Sequence, residues 1–219
     1  MTRRAVVIAG GPAPGEGVLD ALTDVDLVIA ADGGTDHARD LGLEPDVVVG
    51  DLDSVSGAGL SWARDAGIEV VEHPADKDAT DLDLAMSHAA KVADEIVVID
   101  SGAGRIDHST ANTLLLASDR FAHVTVTALT QDGVISVIHE RRSLHAHVGD
   151  TVSLLAVAGP AGGVTTDGLR WPLVDAVLSP GSTLGVSNEF LVEEASVSIS
   201  SGVVLAIQPV RRPRRIAGV

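Results

Sequence analysis

The chain has 219 residues, a formal net charge of −16, 45% hydrophobic residues and only 2% aromatic ones, so any core must be built from Val, Leu, Ile and Ala. So acidic a chain, with two lysines (Lys77 and Lys91), has no positive groove to displace counterions from nucleic-acid phosphates, and its lack of cysteine removes disulfides and thiolate metal sites. No apolar stretch approaches the ~18 residues of a membrane span, and the run after Arg3 and Arg4 is shorter than the ~7–15 residues of an export signal, so a soluble cytoplasmic protein is expected.

Short β-branched runs at 4–9, 27–31, 47–49, 68–72, 95–99 and 123–129 predict strands. They are continuously apolar rather than alternating, as strands buried on both faces are. Helical spacing fills the intervals at 34–42, 59–67, 80–94 and 107–120. Strand and helix in alternation predict a parallel sheet with helices on its faces. The pattern changes near residue 130. Short strand candidates follow at 133–140, 142–149, 151–158, 163–168, 195–201 and 203–210, with turn residues between them and no convincing helix. The expectation is a Rossmann-like α/β domain over 1–130, followed by an all-β sandwich over 131–219. The basic cluster RRPRR at 211–215 reads as a solvated tail.

Asp32, the pair Asp51/Asp53, and Asp100 each follow a predicted parallel strand, at the edge where open α/β sheets bind ligands. Residues two apart on an extended chain share a side, so Asp51 and Asp53 should face one cation together. Alone they repel; with Mg²⁺ the repulsion becomes chelation, and Mg²⁺ commonly shares itself with phosphate. Thr80 is the expected cap of the next helix. Asp81 then offers a third metal carboxylate, while Asp83 is expected only to favour the helix start. No Walker-type motif is present. The Gly-rich turns GGPAPGEG (10–17) and SGAGR (101–105) can cradle anions with backbone N–H groups, and Arg105 adds a forked phosphate donor.

His108 and Asn112 are four apart and share a helix face, for capping and packing or for a site. The remaining histidines show no metal-ligand spacing, and HAH at 145–147 reads as a solvated strand face. Trp62 reads as packing. For Trp171 two readings stand open: a core residue, or a platform for a flat cationic ring.

Four blocks, ADGGTDHARDLGLEPDVVVGDLDSV (31–55), KDATDLDLA (77–85), SGAGRIDHSTANTLLL (101–116) and GLRWPL…LSPGSTLGVSNEF (168–190), together resemble the thiamine pyrophosphokinase family. They occur in the family's order over most of the chain; Leu52 stands where a Phe is common. The resemblance implies a homodimer that transfers the β,γ-pyrophosphoryl group of ATP to thiamine, leaving AMP, with Mg²⁺ as cofactor. It assigns Asp51, Asp53 and Asp81 to the metal. It assigns Asp32, Gly33, Gly34, Thr80, Gly104 and Arg105 to ATP. Asp107, Trp171, Ser187 and Asn188 fall to thiamine, bound between subunits, and the catalytic set is Asp51, Asp53, Asp81 and Asp107. The general base is left between Asp81 and Asp107. Two rivals remain: a pyrophosphokinase for another alcohol such as a pterin, and a non-catalytic nucleotide- or thiamine-binding regulator.

Overall fold

The computed structural model describes residues 2–15, 18–100 and 102–210. RRPRR at 211–215 and parts of both Gly-rich turns, Glu16, Gly17 and Ser101, lie outside the described residues. The chain divides into two compact units, Met1–Gln131 and Asp132–Val219.

The first unit is mixed α/β. Its strands are β1 (Arg4–Ile8), β2 (Leu27–Ala31), β3 (Val47–Gly50), β4 (Glu69–Glu72), β5 (Glu95–Ile99) and β6 (Thr125–Thr130), and its helices are α1 (Gly34–Leu41), α2 (Gly57–Asp65), α3 (Asp81–Ala89) and α4 (Ile106–Leu116). All pairings in this unit are parallel, in the order β4-β3-β2-β1-β5-β6. The chain winds outward from β1 to β4, then crosses back to build β5 and β6 on the other side. Order therefore reverses at β1, the place where such sheets open a crevice at their carboxyl edge.

Burial follows from the apolar runs. Val6 stands between Val28 and Val97 in register. Val6, Ile8, Val97 and Ile99 pack with Ala38 of α1, and Ala30 and Val48 pack with Ala63 of α2 and Ile68. The alternate residues Val7, Ile29 and Val49 are equally buried, so the opposite face is covered too, and α3 is the helix lying against β1, β2 and β3. Each fully buried Val or Ile contributes about 1.5–3 kcal/mol relative to exposure. Helix starts follow local chemistry. Ser56 Oγ accepts from Gly59 N at 2.9 Å, and Thr80 Oγ1 accepts from Asp83 N at 3.2 Å, so each hydroxyl satisfies one free amide of the first turn.

The second unit is β-rich. It comprises β7 (Gly133–Ile138), β8 (Arg141–His145), β9 (Thr151–Asp167), β10 (Ala176–Leu178), β11 (Asn188–Glu189), β12 (Glu194–Ser198) and β13 (Ser201–Pro209), all antiparallel in the order β7-β13-β9-β12-β8, with β10 and β11 also on β9. The two runs expected at 151–158 and 163–168 are one 17-residue strand. Its first half pairs β13 and its last residues pair β12, with the register shifting between. Ala158 at φ 59° and Gly163 at φ 65° turn the strand there. The strand thereby changes neighbours and wraps a core of Leu144, Val152, Leu154, Val164, Phe190, Val197 and Val204. Among the described residues no helix is long and apolar enough to cross a membrane.

Candidate active site

The carboxyl edge of the parallel sheet gathers the acidic residues. Ligand oxygens of Asp32, Asp51 and Asp53 all lie within 4.8 Å of one another. The turn that brings Asp51 and Asp53 together is not extended, as strand alternation would have it. Leu52 between them sits in the left-handed region at φ 65°, and Asp32 does likewise at φ 46°. Non-glycine residues adopt that conformation at a cost that sites commonly carry. Leu52 is held there by packing with Trp62 against Ala30, Val48, Ala63 and Ile68, which also fits the packing role expected for Trp62. Gly50 makes the convergence possible. Its φ is 154°, and a Cβ there would lie 2.9 Å from Asp32 Cβ and 3.1 Å from Asp81 Oδ1.

Asp81, opening α3, is not among these three, Asp32 standing in the place expected for it; Asp81 is tied to Asp51 through a residue that carries little signal in the sequence. Lys77 Nζ donates to Asp51 Oδ2 at 2.7 Å and forms an ion pair with Asp81 Oδ1 at 3.1 Å. Its only prior signals were its rarity and its position four residues before Asp81. The Lys77 hydrogen bond holds the Asp51 carboxyl below its ordinary range, and Asp51 in turn raises Lys77. Burial pushes Asp32 up, helped by the charges of Asp81 and Asp53 and opposed by Ser54. Asp51 Oδ1 and Asp81 Oδ1 are buried without a hydrogen-bond partner. Orphaned carboxylate oxygens beside two further carboxylates are a hard-oxygen donor set, and that set fits a Mg²⁺-class ion.

Beside the carboxylates lies a crevice of about 320 Å³ at the β1/β5 reversal. It is lined by Gly10 and Gly11 after β1, Asp32 after β2, Thr80 and Asp81 opening α3, and Asp100, Arg105, His108 and Asn112 around the start of α4. His108 and Asn112 do share the face that lines it. Asn112 Nδ2 donates to Asp100 Oδ2 at 2.9 Å, and Asp100 Oδ1 accepts from Gly102 N at 3.1 Å. Arg105 also lines the crevice, yet its guanidinium is forked onto Asp107 at 3.2 and 2.6 Å. That pair is well exposed, and Arg105 holds the Asp107 carboxyl down to about 2. Gly104 takes φ 92° against the Pro12 ring. Asp83 is committed to Arg120 at 2.8 Å and Ser87 at 3.2 Å, away from any metal role.

The other expected residues belong to the second unit. Trp171 is 52% exposed, so the core reading of it does not hold. Asn188, by contrast, is buried, and its amide is spent on main chain. Its Oδ1 accepts from Trp171 N at 3.0 Å and Glu189 N at 2.9 Å, and its Nδ2 donates to Trp171 O at 2.7 Å. Asn188 thus positions Trp171. The Arg170 guanidinium lies over the Trp171 ring, 5.2 Å from its centroid, and pairs with Glu189 at 2.8 Å. Ser187 is exposed in the left-handed region at φ 58°, its N–H bound to Ser153 Oγ at 3.0 Å.

Comparison with known proteins shows the family. The family model described as thiamin pyrophosphokinase, catalytic domain, matches residues 18–128, and that of the thiamin pyrophosphokinase vitamin B1 binding domain matches 136–204. A rice protein, thiamine pyrophosphokinase 1, is 31% identical over 170 residues, 72% of this chain and 63% of its own. The chain thus spans a little under two thirds of the length of the plant relatives it matches. Thiamine pyrophosphokinase of Bacillus subtilis is 28% identical over 206 residues, 92% of this chain and 96% of that protein. The crystal structure of the B. subtilis protein superposes with a TM-score of 0.84 at 24% identity, over 96% of this chain and all of that one, a likeness of fold. One from Enterococcus faecalis gives 0.79 at 25% over the same shares. With the catalytic-domain match alone covering half of its length, the chain belongs to the thiamin pyrophosphokinase family.

Proposed function

We propose that the protein transfers the β,γ-pyrophosphoryl group of ATP to the hydroxyethyl oxygen of thiamine, giving thiamine diphosphate and AMP. The observation that carries this reading is the cluster of Asp32, Asp51 and Asp53, with Asp81 tied to Asp51 through Lys77, beside the crevice where the sheet order reverses. The first unit serves as a Rossmann-like nucleotide and metal domain, and the second as a β-sandwich that contributes thiamine binding and dimerisation. Magnesium would be held by Asp51, Asp53 and Asp81 with Asp32 beside them; when bound, it supplies neutralisation of charge on the transferring phosphate oxygens.

The chain's own groups do the rest. Backbone at Gly10, Gly11 and the start of α4 lines the crevice for an anion, together with Arg105, and the family resemblance adds Gly33, Gly34 and Gly104 to the nucleotide's side of the site. Asp107, forked onto Arg105 and held low by it, is offered to thiamine as an anion. Product analysis tests the reading: AMP with thiamine diphosphate is expected. ADP with a monophosphate, a pterin product, or no turnover with either alcohol would overturn it. A cytoplasmic homodimer with thiamine between subunits completes the proposal. Specific activity should fall on dilution in step with dissociation seen by sedimentation, and a fully active monomer contradicts it.

Trp171 carries the choice of acceptor. A cation–π contact with a desolvated ring is worth ~2 kcal/mol, about thirtyfold in binding. Trp171→Ala should raise the thiamine KM at least about tenfold. The ATP KM should change little, and so should the melting temperature, because the ring is half exposed. A large loss of stability with both KM values altered would return the residue to a packing role.

A further inference from the structure

The Lys77 ammonium occupies the ground between Asp51 and Asp81 that a divalent cation would claim, 2.7 Å from one carboxylate and 3.1 Å from the other. Its side chain is only 14% exposed, so the pair is shielded rather than a passing surface contact. Four carboxylates converge here, and without a counterion their repulsion is unfavourable. One ammonium offsets part of that repulsion, yet it leaves Asp51 Oδ1 and Asp81 Oδ1 without hydrogen bonds. A lysine is suited to a temporary post: a compact charge with three rotatable donors on a flexible stem, in place of the fixed fork of arginine. Lys77 sits before α3, in the segment between β4 and that helix, so its stem is not held by helical packing.

We infer that Lys77 is an internal stand-in for the metal: it holds Asp51 and Asp81 apart from one another's repulsion until a divalent cation arrives with a phosphate-bearing ligand, and its ammonium then passes from the carboxylates to the phosphate. The inference rests on the metal reading proposed above. Its consequence is selectivity. A bare cation must evict an ammonium that has nowhere to go. A cation bound to a polyphosphate brings the anion that receives it. The lysine therefore disfavours metal alone and favours the metal–nucleotide complex, coupling the two ligands through one side chain.

The test is Mn²⁺ binding, read by the loss of the free-ion electron paramagnetic resonance signal. It is run with and without an ATP analogue carrying a methylene between the α and β phosphorus atoms, which cannot be cleaved at that bond. Lys77→Gln should bind Mn²⁺ alone at least about tenfold more tightly than the parent. The analogue should enhance its Mn²⁺ affinity about tenfold less than it does for the parent. Lys77→Arg, which keeps the charge, should stay within about threefold of the parent for Mn²⁺ alone. A folded Lys77→Gln that binds bare Mn²⁺ no more tightly than the parent overturns the inference. A measurement on the unaltered protein is independent of how the variants fold. With ¹⁵N-lysine labelling the chain yields two side-chain signals, from Lys77 and the exposed Lys91. Mg²⁺ plus the analogue should shift the first and leave the second in place; an unmoved Lys77 signal overturns the inference. Asp53→Asn separates this from the parent reading. If it binds Mn²⁺ as the unaltered protein does, the metal site itself is wrong. If it binds weakly while Lys77→Gln is unchanged, only the lysine's role fails.

Discussion

Asp51→Asn and Asp53→Asn are each expected to remove turnover, by about 10³-fold or more, while the fold survives. The magnitude follows from the several kcal/mol of charge stabilisation a bound cation supplies, at ~1.4 kcal/mol for each tenfold in rate. Asparagine keeps the shape of the side chain and removes the anionic oxygen that a hard cation needs. Initial rates against Mg²⁺ concentration, with circular dichroism as the folding control, decide the matter. Near-normal activity in both folded variants would sink the metal assignment. The two variants should differ in stability. Asp51 accepts from Lys77 and Asp53 from Ser54 Oγ at 2.8 Å, so only Asp51→Asn removes a charge from the ammonium's shorter ion pair. The Asp51 carboxyl is depressed in the folded state, so its contribution is present above its unfolded pKa and lost as pH falls through the folded one. The melting temperature of Asp51→Asn, measured without metal, should therefore lie below that of Asp53→Asn at neutral pH. That gap should close in acid.

The strands of the first unit were legible because burial on both faces imposes unbroken apolar runs, and a run of Val such as 47–49 has few other uses. The carboxylates at their ends were legible because several of them fall on one edge, the edge where open α/β sheets bind ligands. What brings Asp51 and Asp53 together was not. Strand alternation predicts a shared side, but the left-handed turn at Leu52 does the work, and a leucine carries no sequence signal for that conformation. Lys77 escaped because a lone lysine before a helix resembles any solvated charge; only the fold puts it between Asp51 and Asp81. The Arg105–Asp107 pair escaped differently, since each residue had been given a ligand and neither had been offered to the other. In the second unit, turn residues inside 158–163 split β9 in two on paper, although the strand bends there without ending. The two-residue β11 has no periodicity to read, and the buried amide of Asn188 is recognisable only from the Trp171 main chain that it holds.

The paired glycines after Asp32 offer the sharpest division between packing and ligand contact, because resemblance assigns both to ATP and the structure gives them different neighbours. A Cβ on Gly34 would lie 2.1 Å from Ile8 O and 2.8 Å from Ile8 C, main-chain atoms of the central strand β1 that cannot swing aside. A Cβ on Gly33 would meet Ser54 O at 3.4 Å and Ser54 Cβ at 3.6 Å, close to ordinary contact, and Gly33 already has helical backbone angles of φ −55° and ψ −15° that alanine adopts freely. Gly34→Ala must push α1 off β1, at or above the ~1–3 kcal/mol usual for overpacking. At ~2–4 °C for each kcal/mol in a chain of this size, its melting temperature should fall by about 2–12 °C or more. Displacing α1 also displaces Asp32, whose carbonyl accepts from Thr35 N at 2.9 Å and Thr35 Oγ1 at 2.8 Å, so turnover should fall with it. Gly33→Ala should melt within a degree or two of the parent, and its effect should appear in the ATP KM, as expected if this glycine meets the nucleotide as the resemblance assigns. Equal, small losses of stability in both variants would show that α1 is not pinned to β1 through Gly34. An unchanged ATP KM in Gly33→Ala would remove that glycine from the nucleotide's path.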